Sequence, residues 1–245
     1  MRAGIFDSGV GGLTVVKSLL EHKIFSEIIY FGDTARVPYG VKDKNTIIRY
    51  SLEALEFFKN FEVDIMITAC NSVSAYAIQE LRNAAPFQIS GVIEPGVLAL
   101  KNQAHSKEAS ILILGTRATV ESKKYERLLK KEGFTNIQAL APSLFVPIVE
   151  EGLFQGKILE TTMEHYFHGI QEPDFIILGC THFPLIANSI QRYFSNATLI
   201  HSGEAIVEFL RQKYKITHSF EKTDLKLFAS ENPDGLKTTA NLWLK

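Results

Sequence analysis

Cysteine is nearly absent from this 245-residue chain: Cys70 and Cys180 are the only two. With no Cys-x-x-Cys or His-x-x-x-His pair they give no diagnostic zinc spacing. Long apolar runs are missing too, so no transmembrane helix is expected. Neither sign of charge is in excess, with 26 Lys and Arg against 27 Asp and Glu. A net charge of −1 gives no strong field for nucleic acid or an anionic membrane, and partners are expected among small molecules. No low-complexity linker interrupts the chain. The segment Met1-Arg-Ala-Gly-Ile-Phe-Asp7 enters an apolar strand without an h-region, so no secretory signal is expected. A cytoplasmic location follows as the default, and there both thiols stay free.

What the chain does have is enough apolar content, 46%, to bury a substantial core in one large or two small domains. Its periodicity alternates strands and helices. Ala3–Asp7 reads as a buried strand, followed by a glycine-rich turn and a helix to about His22. Gly9-Val-Gly11-Gly-Leu-Thr14 lacks the third glycine of a dinucleotide fingerprint, and no Gly-Lys-Ser/Thr follows, so nucleotide binding is a weak reading. A strand at Glu27–Phe31 leads to the turn-rich loop Gly32–Gly40; a helix at 44–60, the Cys70 strand, a helix at 71–84 and a strand near Ile89–Ile93 follow. The pattern restarts at the strand Ser110–Gly115, with a helix to about Glu132, an apolar run at Phe145–Gly152 ending in acids and a helix at 156–168. The Cys180 strand, a helix at 184–195, a strand at Thr198–His201 and a helix to about Tyr214 complete it. Lys226–Ala229 reads as an edge strand and Leu236–Leu244 as a terminal helix carrying the only tryptophan, Trp243, with this tail packed back on the first unit. Such alternation implies parallel sheets covered by helices on both faces.

The two cysteine strands are copies of one pattern. Asp64-Ile-Met-Ile-Thr-Ala-Cys70 and Asp174-Phe-Ile-Ile-Leu-Gly-Cys180 each place an aspartate six positions before the cysteine, and small polar residues come after it. Asp7 and Thr116, at matching strand ends, precede their cysteines by 63 and 64 positions; Tyr39 and Glu150 precede theirs by 31 and 30. Two similar α/β units follow, residues 1–94 with 207–245 and residues 95–206, presenting loops from the carboxyl ends of their strands to a shared cleft. Asp64 and Asp174 sit at strand starts, on the opposite side, and are read as structural.

Four uses of the paired cysteines are open on this pattern. They serve as buried small hydrophobes, although Asn71-Ser72 and Thr181-His182 are polar company for a core thiol. They serve with His182 and Asp7 as a metal site, on a spacing that is not diagnostic. One serves as a nucleophile with His182 as its base, which leaves the second unexplained. Or both serve as bases in two-sided proton transfer, one thiolate removing a proton from carbon and the opposite thiol delivering one to the other face. That last use requires a thiolate well below the ordinary value of about 8.5.

The motifs Asp7-Ser8-Gly-Val-Gly-Gly-Leu-Thr, Pro38-Tyr39-Gly40, Ala69-Cys70-Asn71-Ser72, Gly91-Val-Ile-Glu94-Pro-Gly, Gly115-Thr116-Arg-Ala-Thr119-Val, Val149-Glu150-Glu-Gly152 and Gly179-Cys180-Thr181-His182-Phe-Pro resemble, in order, those of the glutamate racemases. The resemblance spans about residues 3 to 210. It implies a cofactor-independent, metal-independent racemase that interconverts L- and D-glutamate for peptidoglycan, with aspartate or hydantoin racemisation, or binding without chemistry, as the alternatives. It also implies a homodimer. By this resemblance Cys70 and Cys180 are the bases, assisted by Asp7, Glu150 and His182. Ser8, Tyr39, Gly40, Asn71, Ser72, Thr116, Thr119 and Thr181 hold the substrate. Ser72 stands where the family usually has threonine and keeps the hydroxyl. Each assistant also has an ordinary structural use: Asp7 or His182 as a helix cap, Glu150 as a solvated acid.

Overall fold

The computed structural model describes residues 1–217 and 219–245. Among them are nine strands: β1 (Arg2–Asp7), β2 (Glu27–Gly32), β3 (Ile65–Thr68), β4 (Gln88–Gly91), β5 (Ile111–Gly115), β6 (Ile137–Leu140), β7 (Phe175–Gly179), β8 (Thr198–His201) and β9 (Asp224–Ala229). They form two sheets, ordered β4-β3-β1-β2-β9 and β6-β5-β7-β8, and every pairing is parallel. Read from the other edge, the second sheet runs β8-β7-β5-β6, which repeats β4-β3-β1-β2 strand for strand.

Continuous apolar runs make these strands because helices cover both faces. Side chains alternate between faces along a strand: Ile28 and Tyr30 of β2 join the core formed with helix Leu13–His22, whereas Ile29 joins the core formed with helix Lys44–Phe58. The second sheet divides likewise, with Leu112, Leu114 and Leu178 on one face and Ile111, Ile113 and Ile177 on the other. At the strand starts the repeat is visible again. The Asp64 carboxylate accepts the backbone N–H of Arg2 at 2.7 Å, and that of Asp174 accepts the N–H of Ser110 at 2.7 Å, the structural use read for both.

Several boundaries differ from the periodicity. The strand near Ile89–Ile93 stops at Gly91 because the hydroxyl of Ser74 takes the N–H of Val92 at 3.2 Å, and a helix, Ile93–Gln103, begins at once. The helix expected to reach Glu132 is two, Arg117–Glu121 and Lys124–Lys131, separated where Lys123 turns left-handed and Ser122 Oγ accepts the N–H of Lys124. Strand β6, lying between them and the acid-ended run, has no clear period-2 signature and no fully buried residue. The run itself is helical, Phe145–Glu150.

The tail does pack on the first unit: β9 extends the sheet beside β2, and helix Pro233–Trp243 lies against β9 and helix Leu13–His22. It also reaches the second unit. Trp243 meets Phe154 and His182 edge to face, at ring separations of 6.3 Å in both cases. No described helix is long and apolar enough to cross a membrane.

Candidate active site

Both cysteines sit just past a strand's carboxyl end. Cys70 follows β3 as the residue that precedes helix Asn71–Tyr76, and Cys180 follows β7. Each is free, 5% exposed, and lines a single cleft between the two sheets. The cleft is nearly shut, with about 20 Å³ of free space, room for roughly one water molecule.

The register sharpens which residues are equivalent. Phe6 lies opposite Thr68, two residues before Cys70, and Leu114 lies opposite Leu178, two before Cys180. Asp7 therefore matches Gly115, and Ser8 matches Thr116, so the near-equal offsets counted from Asp7 and Thr116 join residues that are one position out of step. Hydroxyls, not the carboxylate, are the repeated feature at that strand end.

The two thiols have different company. On the Cys70 side, Sγ donates to Ser8 Oγ at 3.5 Å, and behind it the fully buried Asp7 carboxylate accepts the N–H of Gly9 at 2.9 Å and the hydroxyl of Thr181 at 3.4 Å. Burial raises the Asp7 pKa above the usual carboxylate value, opposed by the charge of His182 and by these hydrogen bonds. Burial, and then the negative charge of Asp7, push the Cys70 thiol up to about 12, against its hydrogen bonding with the Val73 backbone and with Ser8. The position before a helix does not lower it: desolvation outweighs the Val73 amide.

On the Cys180 side, Sγ lies 3.8 Å from His182 Nδ1, and the other ring nitrogen, Nε2, lies 3.1 Å from Glu150 Oε1. Burial alone would lower the His182 pKa. The hydrogen bonds to Cys180 and Glu150, with the charges of Cys180 and Asp7, outweigh it and raise the ring to about 10. The ring is an imidazolium at neutral pH, and the half-buried Glu150 connects it to solvent.

Contacts across the cleft lock the units together. Ser72 Oγ meets Thr116 Oγ1 at 2.9 Å, and Thr116 in turn meets Thr119 Oγ1 at 3.0 Å. Thr14 donates to the carbonyl of Thr181 at 2.9 Å, and Tyr125 donates to Asn71 Oδ1 at 2.8 Å. Two glycines allow this approach: a Cβ on Gly40 would lie 2.5 Å from Thr116 Cβ, and one on Gly11 would lie 2.3 Å from Thr181 Oγ1.

Of the residues named from sequence, Ser8, Tyr39, Gly40, Cys70, Asn71, Ser72, Thr116, Cys180, Thr181 and His182 line the cleft together. Asp7, Glu150 and Thr119 stand one layer back, behind Thr181, His182 and Thr116 respectively. Among the described residues, the Nδ2 of Asn71 is buried without a hydrogen-bond partner. No lining residue is Lys or Arg, and among the described residues no three His, Cys, Asp or Glu side chains group as a metal site.

Sequence reasoning missed five contributors. Val37, Pro38 and Val146 supply apolar wall, Pro38 being visible only as part of a motif. Asp33 is fully buried; its carboxylate takes the Tyr39 hydroxyl, Arg36 Nε at 2.6 Å and the hydroxyl of Ser230 at 2.8 Å, tying the Tyr39 loop to the end of β9. Its place in a loop with more charge than a connector needs was the available signal. Tyr125 gave none, since it occupies an apolar position of an amphipathic helix.

Two matching parallel α/β units that each deliver one free thiol, with acid–base partners, into a shared buried cleft define an enzyme built for proton transfer on both faces of a small molecule. The chain belongs to the Asp/Glu/hydantoin racemase family, whose model matches residues 15–210. It is 65% identical to a glutamate racemase of Nitratiruptor, over all of this chain and 97% of that protein. The crystal structure of glutamate racemase from Campylobacter jejuni superposes with a TM-score of 0.98 at 53% identity, covering 100% of this chain and 98% of the other. That of the Francisella tularensis enzyme in complex with D-glutamate superposes at 0.86 with 31% identity, covering 99% and 93%.

Proposed function

We propose that this chain is a glutamate racemase that inverts the α-carbon of glutamate by two-base proton transfer, needs no cofactor, and supplies D-glutamate for peptidoglycan. The observation that carries the reading is the delivery of one thiol from each unit into the same closed cleft. One sulfur, as thiolate, accepts the α-proton from one face while the other sulfur, as thiol, gives its proton to the opposite face. The sulfurs end with protonation exchanged, ready for the reverse reaction. With Cys70 pushed up to about 12, it carries its proton at neutral pH, and the imidazolium of His182 stands beside Cys180.

Asp7 serves Cys70, and His182 with Glu150 serves Cys180, as short proton routes. Ser8, Tyr39, Gly40, Asn71, Ser72, Thr116, Thr119 and Thr181 grip the substrate with neutral donors, since the lining has no lysine or arginine. The unpaired Nδ2 of Asn71 is one such donor. So little free space requires the units to part before glutamate enters and to close before the proton moves. In support of glutamate stand the relatives' names and the D-glutamate complex of one of them.

The same reading divides the chain into 1–94 with 207–245 and 95–206, consistent with β9 extending the first sheet. It has the enzyme working as a cytoplasmic homodimer, where its thiols stay reduced. Turnover of either enantiomer in deuterated water should place deuterium at the α-carbon. Replacing either Cys70 or Cys180 by serine should lower racemisation at least ~10³-fold. A variant lacking one thiol that still racemised at near-normal rate would refute the two-thiol scheme.

A further inference from the structure

Tyr125 lies on helix Lys124–Lys131 of the second unit, 1% exposed, wedged between Gly96 and Gly179. A Cβ on Gly179 would come within 3.2 Å of its ring, and one on Gly96 within 3.4 Å of its hydroxyl oxygen. Its hydroxyl donates at 2.8 Å to Oδ1 of Asn71, which belongs to the first unit and is itself 1% exposed.

A tyrosine hydroxyl has one proton, and an asparagine amide can present either its oxygen or its two N–H groups to a given side. Here the single proton of Tyr125 is committed to Oδ1 of Asn71. The amide must then turn Oδ1 to the tyrosine, which leaves Nδ2 without a protein partner in a residue that lines the cleft. A buried, unpaired donor is costly in the free protein and is repaid when an acceptor oxygen arrives. Since Tyr125 and Asn71 come from different units, this setting of the amide exists only when the units are apposed.

We propose that Tyr125 is a positioning residue for the racemase reaction, fixing the Asn71 amide so that closure presents Nδ2 to an oxygen of the substrate. The proposal rests on the glutamate racemase reading above. Steady-state racemisation of D- and L-glutamate by the full chain tests it, comparing Tyr125→Phe, Asn71→Ala and the double variant. Tyr125→Phe should raise KM about tenfold for both enantiomers with kcat within about twofold, the signature of lost ground-state grip. The double variant should be no worse than Asn71→Ala alone, because both changes remove the same contact.

An unchanged KM in Tyr125→Phe, or effects that multiply in the double variant, would overturn the proposal and leave Tyr125 a packing residue. Should Tyr125→Phe fail to fold, the side-chain ¹⁵N–¹H signals of Asn71 in the unmodified chain decide. They should shift when D-glutamate is added, and signals that stay put would overturn the proposal. Failure of the unmodified chain to racemise glutamate would instead bring down the functional reading itself, a result the kinetics separate from loss of the Tyr125 role alone.

Discussion

Nε2 of His182 lies 3.1 Å from Oε1 of Glu150, so the ring beside Cys180 is tied to a carboxylate that reaches solvent. Glu150→Gln removes that charge but keeps a hydrogen-bonding side chain. The His182 pKa, held at about 10 with Glu150 as one of its supports, should fall toward the ordinary value near 6.5. We expect a drop in kcat of about 10- to 100-fold, within the span of a lost acid–base partner. The alkaline limb of the pH–rate profile should move to lower pH. A profile unchanged in shape would separate Glu150 from the chemistry.

The same ring makes folding stability depend on pH. His182 has a folded-state pKa near 10 against an ordinary 6.5, so the folded state binds its proton more tightly than the unfolded chain does. The stabilisation is complete below about 6.5 and is lost as pH rises through about 10. Its size is on the order of a few kcal/mol. Urea unfolding at pH 7 and pH 10.5 should show the loss in the unmodified chain and a smaller one in His182→Asn. Equal losses in both would assign the pH dependence to other groups.

Asp33 gathers the hydroxyl of Tyr39, the guanidinium of Arg36 and the hydroxyl of Ser230. Asp33→Asn weakens all three, since a neutral amide is a poorer acceptor and its NH₂ faces donors. The Tyr39–Gly40 wall of the cleft should loosen. KM should rise about three- to tenfold, and stability should fall by about 1–3 kcal/mol, the cost of leaving buried polar groups badly paired. Kinetics and thermal unfolding on the same variant check both, and loss of stability with an unaltered KM would confine Asp33 to a structural role.

Much of this arrangement is legible before any coordinates. Strand ends are marked by apolar runs that stop at small polar residues, and chemistry gathers there, so the paired cysteine strands and their loops are found from pattern alone. The family resemblance adds the hydroxyls of Ser8, Tyr39, Ser72, Thr116 and Thr181, which do meet in one cleft. Asp33 and Tyr125 escape because their importance is relational: one depends on β9 arriving beside β2 from almost the far end of the chain, the other on a side chain crossing between units. The direction of the Cys70 shift escapes for a similar reason. Helix position is local and readable, whereas desolvation depends on everything packed around the sulfur.

Gly40 offers a way to hold the cleft ajar. Its backbone is not left-handed, so alanine is tolerated there by the chain itself. Space is what forbids it: the new Cβ would lie 2.5 Å from Cβ and 2.6 Å from Cγ2 of Thr116 on the opposite unit, and neither is the free end of a flexible chain. Closing the units against that methyl costs energy, whereas opening them relieves it. Gly40→Ala should therefore fold with near-normal stability yet lose about 10- to 100-fold in kcat, since misplacement of about 1 Å is enough for such a loss. Gly169→Ala is the contrasting variant, with φ of +75° and nothing within 4 Å of its would-be Cβ. It should cost about 1–2 kcal/mol of stability through backbone strain and leave turnover intact. Thermal unfolding and racemisation measured side by side would show the two effects crossing over. If Gly40→Ala turned over glutamate at the normal rate, close apposition of the Tyr39 loop and Thr116 would not be required for proton transfer.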